Sequence, residues 1–474
     1  MSPILDSLEH KAEVLPDDHA HALYSQLRGL GDLWLNSRTR DAAFRVSHPR
    51  RSYPERQPRL LQEPGCCCVF YEADGTWGKR TFRGLVLPVQ WVAVGLGLKS
   101  HDERLPFGLR DVANEVRRHV PGNEGFVLQF QAGKFPDLSD LDHRLWHESA
   151  AASLAVGLIS AIRGIQPSNA VHCSAAVGRD GALTAITGLE NKLSIFSQGG
   201  LPLHRFFVVA ANKDNAVAVC EIHNISDGTE RIGVFHSVST GAKLEQQLGP
   251  MLVESAIPPD LESKFTDRVR YYEFVSGFDR KKAARYFCSH MAQEIAFCCR
   301  KIHDPAECQN ATLVSIATDR SEGIHVAYHY LSPGRVAVLY SQEGTDGDEV
   351  DRRFRNTALE TVHELKGIAP DSRKKSGIES HSVSLSFEDL ESLGQSFKEV
   401  LDSLRAEGRP LVIDIDRGTT LQKIAILKHA VKPGDFLVSF YHRLKVVTNE
   451  QLTIDAQSFR PFLWKQEEFQ GVQS

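Results

Sequence analysis

The run from Ser149 to Arg163, Ser-Ala-Ala-Ala-Ser-Leu-Ala-Val-Gly-Leu-Ile-Ser-Ala-Ile-Arg, carries a single charged side chain and is followed at once by Gly164. A helix that is apolar on nearly every face has no side to offer to water, so it belongs inside a core with other elements packed around it. The glycine supplies a left-handed stop. Burial also places the first residue of such a helix accurately. Helix starts gather N–H groups with no partner inside the helix, together with the positive end of the macrodipole. Ser149 therefore has two readings. It caps the helix, as serines commonly do, or its hydroxyl lies beside donors that stabilise an oxyanion.

A second helix bears on that choice. Leu189, Lys192, Leu193 and Phe196 recur at i, i+3, i+4 and i+7, so the lysine shares the apolar stripe, while Glu190, Asn191, Ser194 and Gln198 point elsewhere. Lysine on a core-facing stripe is unusual. To act as a base near neutral pH it must fall by about 3 units from ~10.4, a differential of roughly 4 kcal/mol, and desolvation is able to supply that. The alternative is a lysine at the stripe's edge whose head reaches water. His147 stands two residues from Ser149, the wrong reach for a base that must approach the hydroxyl within hydrogen-bonding distance.

These residues resemble the proteolytic domain of Lon-type proteases, which uses a Ser/Lys dyad. The resemblance runs from the helix opened by Ser149, through Gly181 and Gly188-Leu189-x-x-Lys192-Leu193, to Phe207-Val208-Val209 and Asn212. The separation of 43 positions from Ser149 to Lys192 matches that family's dyad spacing. It implies Ser149 as nucleophile, Lys192 as base and Ser174 as the hydroxyl that orients the base. The chain departs from the family at Leu145-Trp146-His147-Glu148, before the serine, and at Ala175-Ala176, after Ser174.

The 474 residues exceed one comfortable core, so several domains are expected. A formal net charge of −5 excludes a globally basic nucleic-acid binder, and no direct DNA binding is expected. The stretch Leu85 to Leu98 is short and interrupted by Pro88 and Gln90, so it reads as a buried strand and not a membrane span. Nine cysteines, three of them adjacent at Cys66 to Cys68, make a poor disulfide framework. With no signal segment, a cytoplasmic location is expected. A helix is expected around His19 to Leu35. Seven arginines from Arg38 to Arg59, broken by prolines, read as a solvated connector. Cys288, His290, Cys298, Cys299, His303 and Cys308 invite a zinc reading, but they form no CxxC pair, so buried structural thiols and no metal are expected.

The last third alternates strand-like and helical segments. Leu313 to Ala317, Val336 to Tyr340, Leu411 to Asp416 and Phe436 to Tyr441 read as strands, and Asp351 to Leu365 and Phe387 to Arg405 as helices. This predicts a doubly wound parallel sheet, whose ligands bind beyond the strands' carboxyl ends. Two such ends stand out, Thr318-Asp319-Arg320 and Arg417-Gly418-Thr419-Thr420 with Lys423 one turn on. The second reads either as a phosphate cradle at a helix start or as a plain strand-to-helix turn. No Gly-x-x-x-x-Gly-Lys-Ser/Thr motif occurs in the sequence.

The segment Pro410 to Lys423 resembles the CARF sensor domains of type III CRISPR accessory effectors, with Arg417 and Thr420 departing from the usual Gly-Gly-Thr-Lys. The related SAVED domain is a close alternative. This resemblance implies a homodimeric sensor that binds a cyclic oligoadenylate through Thr318, Asp319, Arg320, Arg417, Gly418, Thr419, Thr420 and Lys423. The expected fold class is α/β: an N-terminal extension over 1–64, an α+β Lon-like domain over 65–250, a helical linker over 251–309 and a Rossmann-like sensor over 310–474. The two resemblances together imply an ATP-independent serine endopeptidase, activated by a cyclic oligoadenylate, that cuts one dedicated protein partner. A proteolytically inactive nucleotide-binding module and a ring nuclease stay open beside it.

Overall fold

A computed structural model describes residues 61–77, 80–94, 100–131, 147–199, 201–236, 243–318, 321–342, 349–371, 375–384, 390–442, 445–447, 451–453, 456 and 459–466. The expected His19 to Leu35 helix and the arginine-rich stretch lie outside these residues. The fold is mixed α/β, and the chain divides into two compact units, 1–258 and 259–474.

The first unit is built around the apolar helix. Strands β1 (Cys66–Trp77), β2 (Arg80–Ala93) and β3 (Phe126–Phe130) form an antiparallel sheet in that order. Helix α1 (Phe107–His119) lies in the chain between β2 and β3. Helix α2 (Ala151–Arg163) packs on β1, β2 and α1, and every residue from Ala151 to Ser160 is buried. It ends as expected, with Gly164 at φ 62° donating its N–H to Ser160 and Ala161. A second sheet is parallel, with β7 (Arg205–Val208) between β4 (Val171–Cys173) and β8 (Ile232–Val234). A short hairpin pairs β5 (Ala176–Val177) with β6 (Leu183–Thr184). Helix α3 (Leu189–Gly199) bears on β1 and β2 and on α4 (Lys213–Ile222). Its apolar residues join Phe70, Phe206 and Val208 in one core cluster.

In the second unit, helices α5 (Phe265–Ser276), α6 (Arg280–His290) and α7 (Ala292–Ile302) precede a six-stranded sheet. The segment expected to bridge two domains over 251–309 is thus divided: residues up to 258 close the first unit, and these helices pack within the second, α7 against α8 (Glu322–Leu331). The sheet contains β9 (Thr312–Ile316), β10 (Arg335–Gln342), β11 (Ile378–Ser384), β12 (Leu411–Asp414), β13 (Phe436–His442) and β16 (Phe459–Lys465), with β14 (Lys445–Val447) and β15 (Gln451–Thr453) forming a separate hairpin. Its order is β11-β10-β9-β12-β13-β16, parallel except for the antiparallel edge strand β16. Helices α9 (Glu349–Ile368) and α10 (Leu390–Arg405) complete the crossovers between these strands, and α11 (Thr420–Ala425) follows β12. Val314 and Ile316 of β9 pack into a cluster with α10 and the 420–430 helix, while Leu313 and Val336 alternate away and are equally buried. Cover on both faces is what makes such strands nearly continuous apolar runs. No helix of the described residues is long and apolar enough to cross a membrane.

The strand order reverses between β9 and β12, because β10 and β11 extend the sheet one way and β12 and β13 the other. The carboxyl ends of those two strands therefore border the crevice where α/β sheets take ligands.

Candidate active site and ligand-binding edge

Ser149, Ser174 and Lys192 meet in the first unit, at 8%, 1% and 2% exposure. The Ser174 hydroxyl donates to the Ser149 backbone carbonyl at 3.1 Å and lies 3.4 Å from the Lys192 amine, so it links the lysine head to the backbone of Ser149. Lys192 is also 3.4 Å from the Thr187 carbonyl. That carbonyl is positioned from behind: the Asn212 side chain bonds the Ile186 N–H and carbonyl, both at 2.9 Å. Lys192 does not reach water at the edge of its stripe. Burial pushes its pKa down to about 8, and the nearby Glu72 carboxylate opposes the shift.

Glu72 enters this site through β1 and was not among the residues singled out from sequence. It accepts from Asn191 at 3.2 Å, and a side chain at Gly188, where φ is 68°, would collide with it. Nothing in the local sequence pairs Glu72 with Lys192, 120 positions away. Ser194, expected to face away from the stripe, is fully buried and donates to the Asn191 carbonyl at 2.8 Å. The donor satisfies a carbonyl of its own helix, which lets a hydroxyl lie inside.

The start of the apolar helix differs from its expected form. Ser149 lies within a 3₁₀ turn, Glu148–Ala150, and α2 takes Ala150 as its N-cap. The next N–H groups are engaged: Ala150 to His147, Ala151 to Glu148 and Ala152 to the Ala175 carbonyl, the first at 2.9 Å and the last at 3.1 Å. The tighter turn feeds the first backbone donors of the helix back into the fold, and they are not left facing a substrate. His147 is turned to Tyr71, whose hydroxyl is 3.1 Å from its Nδ1. A small cavity of about 30 Å³ is lined by Cys67, Ser153, His172, Cys173 and Met251 among others, and neither Ser149 nor Lys192 lines it.

At the sheet edge of the second unit, Thr318 follows β9, and Asp319 and Arg320 lie outside the described residues. Gly418 has φ 83°, and a Cβ there would meet the Ile316 side chain at 2.7 Å, so the loop crosses the end of β9 closely enough to require glycine. Thr419 is the N-cap of α11 in a capping box: its hydroxyl accepts from the Gln422 N–H at 3.2 Å, and its own N–H donates to Gln422 Oε1 at 2.7 Å. These groups, expected to receive a phosphate, are thus committed to the turn. Thr420 is exposed, Lys423 is half-buried, and the Arg417 guanidinium lies against Gly323 of α8, across the reversal point.

Two aspartates hold this loop. Asp414, buried at the end of β12, accepts from Ser315 at 2.8 Å and from the Asp416 N–H at 3.0 Å, and burial holds its carboxyl above the usual range despite Arg417. Asp416 accepts from Ser439 at 2.5 Å and from the Phe440 N–H at 2.6 Å, which ties the loop to β13. A carboxylate closing the apolar strand Leu411-Val412-Ile413-Asp414 is a signal in the sequence that marks this edge. The six cysteines and histidines between Cys288 and Cys308 do not converge on one another among the described residues.

No model of a known protein family matches the chain, and no curated protein does either.

Proposed function

We propose that the chain is a Ser/Lys-dyad peptidase regulated by a nucleotide bound at the carboxyl edge of the second unit's sheet. The observation that carries the reading is the setting of Lys192: an amine at 2% exposure, its pKa brought to about 8, beside a Ser174 hydroxyl that bonds the Ser149 backbone. A neutral Lys192 takes the Ser149 proton as the oxygen attacks a peptide carbonyl. It passes that proton to the departing amine, then draws one from water, whose oxygen breaks the acyl ester and restores the serine. With no P-loop in the sequence, the substrate offers its cleavage segment already exposed, which favours one dedicated protein.

The regulatory half of the reading rests on the resemblance to CARF and SAVED sensors and on the sheet edge. The β9–β12 reversal brings Arg417, Gly418 and Thr420 to the crevice, with Lys423 a turn on, where the phosphates of a cyclic oligoadenylate meet cationic side chains. The setting is then type III CRISPR defence, with a second copy of the sensor completing the ligand site.

One observation favours a second reading, a proteolytically inactive nucleotide-binding module: the N–H groups of Ala150, Ala151 and Ala152 are bonded within the fold. Incubation with candidate partner proteins, with and without cyclic oligoadenylates, decides between them when run beside Ser149→Ala. Ligand-dependent cleavage lost in that variant is expected. Cleavage that survives it overturns the dyad, no cleavage by either protein favours the inactive module, and a shortened ligand identifies a ring nuclease.

A further inference from the structure

Three helices of the second unit bring metal-binding donors together away from the sheet edge. The Cys288 sulfur on α6, an imidazole nitrogen of His325 on α8 and a carboxylate oxygen of Glu364 on α9 all lie within 4.8 Å of one another. Cys288 is 8% exposed and His325 1%. His325 Nε2 is 3.2 Å from Glu364 Oε2. Zinc bound by sulfur, nitrogen and oxygen at its usual lengths holds adjacent tetrahedral ligands roughly 3.3–3.7 Å apart. Small side-chain rotations would therefore close this set on an ion.

Unsatisfied groups point the same way. Glu322 stands one turn before His325 on α8, so the two share a helix face. Its Oε2 is buried with no hydrogen-bond partner, while Oε1 accepts from Tyr272 at 2.7 Å. His325 Nδ1 is also buried without a partner. Among the described residues neither glutamate has an ion pair with lysine or arginine, and Glu364 pairs with His325. A thiol and a carboxylate brought this close repel one another's charged forms, and a divalent cation reverses that balance.

We propose that Cys288, His325 and Glu364 bind a zinc ion that staples α6, α8 and α9, its fourth position left to a water. The mixed sulfur, nitrogen and oxygen set suits zinc over magnesium or calcium, which take oxygen alone. Such a staple joins helices 76 positions apart in the chain, from Cys288 to Glu364, so no short spacing motif announces it.

The test is metal analysis of the purified full chain, followed by chelation and reloading with Co²⁺. Stoichiometric zinc is expected, and a cobalt form with a thiolate-to-metal charge-transfer band. Cys288→Ser and Glu364→Gln should each weaken zinc binding on the order of 100-fold. Cys299→Ser and Cys308→Ser, which change buried thiols outside the set, should leave it unaltered. Failure of the chain to take up zinc or cobalt overturns the proposal. So does a cobalt spectrum without the thiolate band, or zinc retained at full affinity by Cys288→Ser. If a variant does not fold, the spectrum of the unaltered chain still decides whether a thiolate binds the metal.

Discussion

Lys192 shows how one residue's environment sets both its chemistry and its cost. Its folded pKa, near 8, is below the value of a free lysine, so between about pH 8 and 10.4 the unfolded chain holds the extra proton and stability rises with pH. Below pH 8 both states are protonated and the full penalty applies, about 3 kcal/mol. Lys192→Met should therefore raise stability at pH 7 by about 1–3 kcal/mol in urea unfolding and, on the proposed function, abolish Ser149 reactivity towards a fluorophosphonate. In the unaltered chain that labelling should rise with pH to a plateau, with its midpoint near 8. Glu72 favours the charged amine, so Glu72→Gln should move the midpoint to lower pH, and an unmoved midpoint would dissociate Glu72 from the base. The stripe pattern identified Lys192 as core-facing. Its partner Glu72 was not legible, because a pairing between a strand and a helix far apart in the chain leaves no periodicity.

Elements differ in how openly their sequences declare them. The apolar helix ends at Gly164 as its pattern requires, since only a residue free to adopt positive φ turns the chain there. Its beginning was less legible, because the 3₁₀ turn at Glu148–Ala150 and the Ala152 N–H, bonded to the distant Ala175 carbonyl, depend on the surrounding fold. The Gly418 loop was legible as a strand-to-helix connection, while its internal capping box shows that Thr419 serves the turn first. Asn212, itself buried, holds the segment before α3 through two part-buried hydrogen bonds, both lost in Asn212→Ala. A loss of about 1 kcal/mol is expected in denaturant unfolding and, on the proposed function, slower Ser149 labelling because the Thr187 carbonyl beside Lys192 is less firmly held.

Each of the two units carries a buried core of its own, so the whole molecule should come apart into pieces that fold. Residues 259–474 expressed alone should unfold in a single cooperative transition. On the proposed function, a cyclic oligoadenylate at about 100 times its Kd should stabilise that fragment by about 2.7 kcal/mol, raising its Tm by about 5–10 °C in calorimetry. An unchanged Tm at saturating ligand would count against the sensor reading. From its residue pattern alone the chain declared an interior helix, a lysine facing the core and an alternation of strands and helices in its last third. Each follows from local periodicity, which decides the side of an element that water must not reach. Only the tertiary structure decided that Ser174 lies between Ser149 and Lys192, that Glu72 opposes the lysine's neutral form, that the sheet reverses between β9 and β12, and that Cys288 meets His325 and Glu364. Those neighbours come from elements distant in the chain, and packing, which spacing along the sequence does not encode, brings them together.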